Sequence, residues 1–179
     1  MKILLLEETD STNTYVSVHA DSLDDMTLVA AHSQTAGRGQ RGNSWESEPG
    51  RNICATLFHR PAGVPARVQF AVSEATALGV ADMLAHYGIE ARVKWPNDVY
   101  VGDRKICGIL IENAVAGCDL LHCRIGIGLN VNQTVFRSDA PNPVSMAMLL
   151  GAETPLSDAL ARLGEALRLR LADVGSAEG

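Results

Sequence analysis

Aromatic residues are scarce in this chain of 179 residues, with two Trp, three Tyr and three Phe making up 4% of it. A core must therefore be built from aliphatic side chains, and each Trp becomes a position to locate. Long hydrophobic runs are missing as well. The opening stretch Ile3 to Leu6 is followed at once by Glu7 and Glu8, too short for a secretory signal or a membrane span. Cys54, Cys107, Cys118 and Cys123 show no CxxC or paired spacing, which excludes a disulfide scaffold and points to reduced, mostly buried thiols. His19, His32, His59, His86 and His122 are equally scattered, with no HExxH, and no metal site is expected. Positive charge is in deficit. Fifteen Lys and Arg face 21 Asp and Glu, a formal charge of -6, and the field of such a chain repels a polyanion. The absences together predict a cytoplasmic protein whose partners include neither membrane nor nucleic acid.

With 46% of positions apolar, no internal repeat and no Pro/Ser-rich linker, the length supports one domain with a proper core, expected over 1–174, and a frayed tail over 175–179. Runs rich in β-branched and aliphatic residues predict strands at Ile3–Glu7, Thr27–His32, Ile53–Phe58, Ala91–Trp95, Lys105–Asn113 and Leu120–Val131. The last two are separated only by Ala114 to Asp119, which contains Gly117, and predict an antiparallel hairpin. Ser11 is placed to cap a first helix. Arg67 to Tyr87 is apolar nearly all round and predicts a largely buried helix. Thr154 and Pro155 open a last helix in which Leu156, Leu160, Leu163, Leu167 and Leu171 keep helical spacing. The fold class is α+β, a mixed, largely antiparallel sheet with helices packed on one face.

Three segments carry chemistry. Gln34-Thr35-Ala36-Gly37-Arg38-Gly39-Gln40-Arg41-Gly42-Asn43-Ser44-Trp45 follows a strand directly. Its glycines let backbone N–H groups converge on an anion, and its arginines add charged forks suited to carboxylate or phosphate, although a solvated surface turn has the same composition. Trp45 reads either as core filler or as a flat platform for a nucleobase. Lys94-Trp95-Pro96-Asn97-Asp98 and the following Arg104-Lys105-Ile106-Cys107-Gly108-Ile109-Leu110-Ile111-Glu112 read as strand, sharp turn and strand. Asp98 is expected at the tip of the turn and Lys105 at the opening of the next strand, where a mobile cation can follow a charged group through a reaction. The alternative is an ordinary hairpin with a solvated edge at Asp103, Arg104 and Lys105. In Ile125-Gly126-Ile127-Gly128-Leu129-Asn130, alternating glycines clear one face of a strand for a ligand, and Asn130 offers an amide suited to an adenine edge; a plain bulged strand is the other reading.

Taken together, Ser11-Thr12-Asn13, Gln34 with Gly37 to Gly42, Trp45, Lys94 to Asp98, Lys105 with Gly108-Ile109-Leu110, and Gly126 to Asn130 resemble the catalytic domain of biotin protein ligases, in that family's order and spacing. The resemblance implies the class II aminoacyl-tRNA synthetase-like fold shared by biotin and lipoate ligases. It implies a two-step reaction: biotin and MgATP give biotinyl-5'-AMP and pyrophosphate, then a lysine of a biotin carboxyl carrier protein attacks the mixed anhydride. Residue by residue, it implies biotin contacts from Ser11, Thr12, Asn13, Gln34, Gly37, Arg38, Arg41, Lys105, Gly108 and Leu110. It implies nucleotide or adenylate contacts from Arg38, Arg41, Trp45, Asn97, Lys105 and Asn130. Lys105, Arg38, Lys94 and Asp98 are the expected catalytic groups, with Asp98 orienting or deprotonating the acceptor lysine and the Arg38 loop ordering over the intermediate.

The sequence departs from the family in places. Gln40 stands where some members have arginine, which leaves Arg38 and Arg41 to hold the adenylate. The chain begins at the first catalytic strand and stops after the Leu-rich helix, so the expectation is a monofunctional type without the DNA-binding helices or the small C-terminal β domain. Sheet edges are available for a homodimer or for the carrier. Two rival readings stand beside this one. A lipoate ligase or octanoyltransferase shares the architecture, and strand alternation would put Lys105 and Cys107 on one face. A non-catalytic biotin- or adenylate-binding module is the other.

Overall fold

The computed structural model describes residues 1–138, 140, 142–172 and 174. The expected frayed tail lies outside the described residues. Seven strands form one sheet in the order β1-β2-β3-β7-β6-β5-β4. They are β1 (Lys2–Thr9), β2 (Thr27–Gln34), β3 (Ile53–His59), β4 (Arg92–Lys94), β5 (Asp98–Val101), β6 (Arg104–Ala116) and β7 (Asp119–Leu129). Only β1 and β2 run parallel; every other pair is antiparallel. The β6–β7 hairpin forms as expected, turning at Gly117 with φ +64°. Helices α1 (Thr12–His19), α2 (Phe70–His86), α3 (Met146–Leu150) and α4 (Leu156–Ala172) complete the chain.

Alternation along the central strands divides the molecule into two faces. Leu28 and Ala30 of β2, Ile53, Ala55 and Leu57 of β3, and Ile125, Ile127 and Leu129 of β7 pack into one large cluster with Val72, Val80 and Leu84 of α2 and Leu160, Leu163 and Leu167 of α4. The two long helices thus cover a single face, as the sequence predicts. On the opposite face a smaller cluster of Val16, Val29 and Phe58 seats the short helix α1. The remainder of that second face, over β3, β5, β6 and β7, carries the site.

Two elements escape the sequence reading. Strand β5 occupies Asp98–Val101, so Asp98 is not the tip of a turn leading to Lys105; it begins a strand paired with Lys94 on one side and Gly108 on the other. Helix α3 is capped by the Ser145 side chain, which accepts from Met148 N–H, and closes on Gly151 at φ +72°. Ser11 sits at the expected cap position of α1 with extended backbone, but its hydroxyl makes no capping bond.

Helices α2 and α4 meet where α2 has no side chain. A β-carbon on Gly79 would lie 3.3 Å from Leu167 Cα and 3.1 Å from its Cδ2. Gly79→Val should force the helices apart and destabilise the fold by about 1–3 kcal/mol, read as a lower urea midpoint; a midpoint equal to wild type would show that the helices do not meet at Gly79.

Candidate active site

The site is assembled on a floor of glycines. Gly126 and Gly128 of β7 and Gly108 of β6 clear the second face of the sheet, and the cleared space is taken by two other residues of this chain. A β-carbon on Gly126 would lie 2.4 Å from Asn13 Oδ1, and one on Gly128 would lie 2.3 Å from Trp45 Cε2. The indole of Trp45 also covers Gly108. These glycines therefore seat Asn13 and Trp45 against the backbone, and they also line the first of the cavities described below.

A hydrogen-bonded chain runs outward from Asn13. Gln34 Oε1 accepts from the Thr12 N–H at 2.8 Å and from the Thr12 hydroxyl at 3.2 Å. The Thr56 hydroxyl lies 2.8 Å from Thr12 Oγ1 and 2.5 Å from Asn13 Oδ1. Asn13 Nδ2 donates to the Leu110 carbonyl and, at 3.1 Å, to Glu112 Oε2. Glu112 in turn accepts both arms of the Arg38 guanidinium, at 2.8 and 3.3 Å. Burial alone would raise the Glu112 carboxyl, but the bonds from Arg38 and Asn13 outweigh it and hold the group below the usual carboxylate range. Thr56 and Glu112 were missed as site residues by the sequence reading; the signal for Thr56 was a lone polar residue between Ala55 and Leu57 on a wholly buried strand.

The glycine-rich segment folds as a small hairpin. Trp45 N–H donates to Gly37 O at 2.9 Å, Gly39 N–H donates to Asn43 O at 2.6 Å, and Arg38 bridges Ser44. Its tip turns through Arg41 at φ +55° and Gly42 at φ +81°. Gly37 has no room for a side chain, since a β-carbon would lie 2.6 Å from the Trp45 carbonyl.

Under the hairpin lie two adjoining cavities. One, of about 400 Å3, is bounded by Ser11, Thr12, Asn13, Gln34, Arg38 and Arg41 on one side and by Asp98, Lys105 and the glycine floor on the other. The second, of about 430 Å3, reaches Tyr100, Asn130, Phe136, Ser138 and Pro143. Trp45, Asp98 and Lys105 belong to both. At the junction Lys105 Nζ pairs with Asp98 Oδ1 at 2.8 Å and lies 5.9 Å from the centre of the Trp45 ring.

A β-bulge puts Lys105 there. On β6, Cys107 pairs with Val99 but Lys105 pairs with Tyr100, leaving Ile106 as an extra residue. Ile106 and Cys107 both enter the core, while Lys105 joins Gly108 on the cavity side. The expected shared face of Lys105 and Cys107 is thus overturned: Cys107 is fully buried, and burial pushes its thiol well above the ordinary range. The strand after Lys105 is also fixed from outside, since Lys105 N–H donates to Asn142 O and Lys105 O accepts from Val144 N–H, both at 2.9 Å.

Other predicted residues fall differently. Lys94 is exposed, with its ammonium 4.6 Å from the Tyr100 ring centre, and lines neither cavity. Asn97 lines the first cavity, but its side chain is buried and its Nδ2 donates to the Ile109 carbonyl, a bond that fastens the turn to β6. Asn130 is buried and donates to Val144 O at 3.1 Å, and among the described residues neither its Oδ1 nor the buried Trp45 Nε1 has a partner. Glu46, unremarked in the sequence, accepts from the Arg137 and Ser138 N–H groups and from Gln133, drawing that segment over the second cavity. Among the described residues no cluster of three or more His, Cys, Asp or Glu could hold a metal ion.

The glycine hairpin, the Lys105 bulge and the lining of the first cavity lie within residues 5–130, and those residues match the model of the biotin/lipoate A/B protein ligase family. The chain belongs to this family. It is 38% identical over 156 residues to the biotin--[acetyl-CoA-carboxylase] ligase of Paracoccus denitrificans, covering 86% of this chain and 61% of that protein. It is 36% identical over 130 residues to the bifunctional ligase/repressor BirA of Escherichia coli, covering 72% of this chain and 40% of the relative. The chain thus spans less than two thirds of the length of these relatives. In fold it matches the biotin protein ligase of Aquifex aeolicus in complex with biotin and ATP, with a TM-score of 0.84 at 24% identity, covering 98% of this chain and 72% of the other. No helix among the described residues is long and apolar enough to cross a membrane.

Gly128→Ala should expel the indole from its seat. In a Trp95→Phe background, which leaves Trp45 as the lone tryptophan, the emission should shift to the red and become more accessible to acrylamide. An unchanged spectrum would mean that Trp45 does not rest on the glycine floor.

Proposed function

We propose that this chain activates biotin with MgATP to biotinyl-5'-AMP and transfers the biotinyl group to a lysine of a carboxyl carrier protein. The observation that carries this reading is the pair of cavities meeting at Lys105, Asp98 and Trp45. Joining a carboxylate to a phosphate needs two ligands end to end with a cation at the junction, because the reacting groups repel each other. Family membership and the complexes solved for its structural neighbours, with biotin and ATP and with biotinyl-5-AMP, support it.

In this reading the first cavity holds biotin. Its buried end, with Ser11, Thr12, Asn13 and Gln34, offers both donors and acceptors to a ureido head, and the apolar tail runs over Gly108, Leu110 and Gly126 toward Lys105. The second cavity holds the nucleotide, with the unpartnered Asn130 Oδ1 available to an amino group of adenine and Trp45 beside the base. Mg2+ arrives on the triphosphate. The carboxylate oxygen of biotin attacks the α-phosphorus, the bond to the β-phosphate breaks, and pyrophosphate leaves; Lys105 and Arg38 offset the negative charge. In the second step the acceptor amine attacks the acyl carbon, AMP leaves, and Asp98 takes the proton. The carrier or a second copy of the chain would dock along the open sheet edges at β1 or β4, and the four free thiols fit a cytoplasmic setting.

A thioester route of the octanoyltransferase kind finds no support at Cys107, whose thiol lies in the core. Pyrophosphate exchange with biotin and with lipoate separates the two ligase readings, and tight biotin binding without exchange would point to a binding module. Lys105→Ala should slow biotin-dependent exchange by about a hundredfold, whereas Asp98→Ala should depress transfer to a carrier more than exchange. Near-normal exchange in the first variant, or equal losses in both steps for the second, would refute these roles.

A further inference from the structure

The edges of the sheet are finished differently. At one end β4 has three residues, and two of them are the exposed cations Arg92 and Lys94, so little ladder is offered there. Where β6 runs on past β5, which pairs along it only as far as Gly108, the charge of Glu112 and a register shift between Ala114 and Val115 interrupt the edge. At the other end β1 is eight residues long and pairs with β2 alone. Ile3, Leu4, Leu5 and Leu6 stand there in a row with no charge, proline or bulge among them. The centre of this edge lacks the devices that keep a strand from pairing with another chain.

Burial separates the two faces of β1. Leu4 and Leu6 pack against Val16, Val29 and Phe58, whereas Ile3 and Leu5 lie on the face of α2 and α4, beside Leu28 and Ala30 of the main core. The helices leave them open: Ile3 is 39% exposed and Leu5 is 70% exposed. A single exposed leucine is ordinary, but Leu5 extends a core row at an unpaired edge.

The sequence of β1 also selects its complement. When two identical strands pair antiparallel about a two-fold axis, opposed side chains share a face, so the axis passes at a residue and never between two. With the axis at Leu5, Lys2 stands opposite Glu8 of the second copy, the same contact recurs beyond the axis, Leu4 meets Leu6, and Leu5 meets its own copy. Moving the axis to Leu4 sets Lys2 against Leu6, and moving it to Leu6 sets Glu8 against Leu4. Only the Leu5 register matches both charges. Both ends are free to make it, since Glu8 is exposed and Lys2 is held only by a surface pair with Asp24 at 3.3 Å.

We propose that β1 is a self-pairing edge, through which two copies of this chain join their sheets antiparallel with the axis at Leu5 and a Lys2–Glu8 pair at each end. A strand pair of this length is a small interface, below about 1,200 Å2, and the dimer forms reversibly with a Kd on the order of 10 μM. It needs no substrate. The pairing therefore stands or falls apart from the ligase reading.

Sedimentation equilibrium of the whole chain without ligands, over about 1 to 200 μM to bracket that affinity, should show a monomer–dimer equilibrium. Leu5→Lys, at a position already exposed, should stay monomeric throughout. Lys2→Glu and Glu8→Lys should each weaken association about tenfold, and the double exchange should restore it, as two symmetric opposed-charge pairs require. In a Cys118→Ser background, which leaves only buried thiols, Leu5→Cys should crosslink to a dimer under copper-phenanthroline oxidation while Ile3→Cys should not. A wild-type chain that is monomeric at the highest concentration, or a dimer indifferent to Leu5→Lys and to the charge exchange, would overturn the proposal. Should Leu5→Lys fail to fold, the charge exchange decides. Binding of a carrier domain that Leu5→Lys abolishes, in a chain that is otherwise monomeric, would assign the edge to the carrier and overturn the self-pairing.

Discussion

The absence of side chains on one face of two neighbouring strands is the constraint from which the site follows. Because Gly126, Gly128 and Gly108 present bare backbone, Asn13 can come down on β7 from helix α1 and Trp45 can come down on β6 and β7 from the hairpin. Each brings a polar apparatus with it. Asn13 links α1 to Thr56 and Glu112, while Trp45 fixes the end of the hairpin whose beginning is Gly37. A single methyl group at either position on β7 would collide with a side chain that orders the next part. Gln34, Arg38 and Lys105 occupy their places as consequences of this close approach and of the bulge at Ile106.

Much of this was legible in the sequence because it depends on short-range patterns. The aliphatic runs located six of seven strands, the Gly117 turn announced the β6–β7 hairpin, and the leucine spacing placed α4. The clustering of Ser11 to Asn13, Gln34, the glycine segment and Lys105 around one cavity was readable through the family resemblance, for Ser11 to Asn13 by themselves suggest only a helix cap. Strand β5 was hidden because four residues between two turns carry too little periodicity. The bulge was hidden because Lys105-Ile106-Cys107 looks like regular alternation, and nothing local says that Ile106 is the extra residue. Lys94 was assigned to the site from its neighbours in the chain, but it lies over Tyr100 and lines neither cavity, while Asn97 lines the first cavity with its side-chain donor engaged by the Ile109 carbonyl. Glu112 was visible only as the end of a strand, for its meaning depends on an arginine 74 positions distant.

The charge distribution links the two scales. A chain of net charge -6 builds a pocket whose walls carry Arg38, Arg41 and Lys105 against a single carboxylate, Asp98, and places a second carboxylate, Glu112, just behind Arg38. The partners give the guanidinium and the ammonium defined directions, which is the preorganisation that electrostatic stabilisation of a reacting anion requires.

The pairing of Lys105 with Asp98 and of Arg38 with Glu112 has a further effect on what the pocket admits. An anion that arrives must compete with an internal carboxylate already in contact, so a small ion such as free phosphate gains little from entering. A ligand that also fills the buried end, lies along the glycine floor and touches both cations at once exceeds that threshold. Discrimination then comes from the number of contacts made together, and the resting pocket is guarded by its own acids.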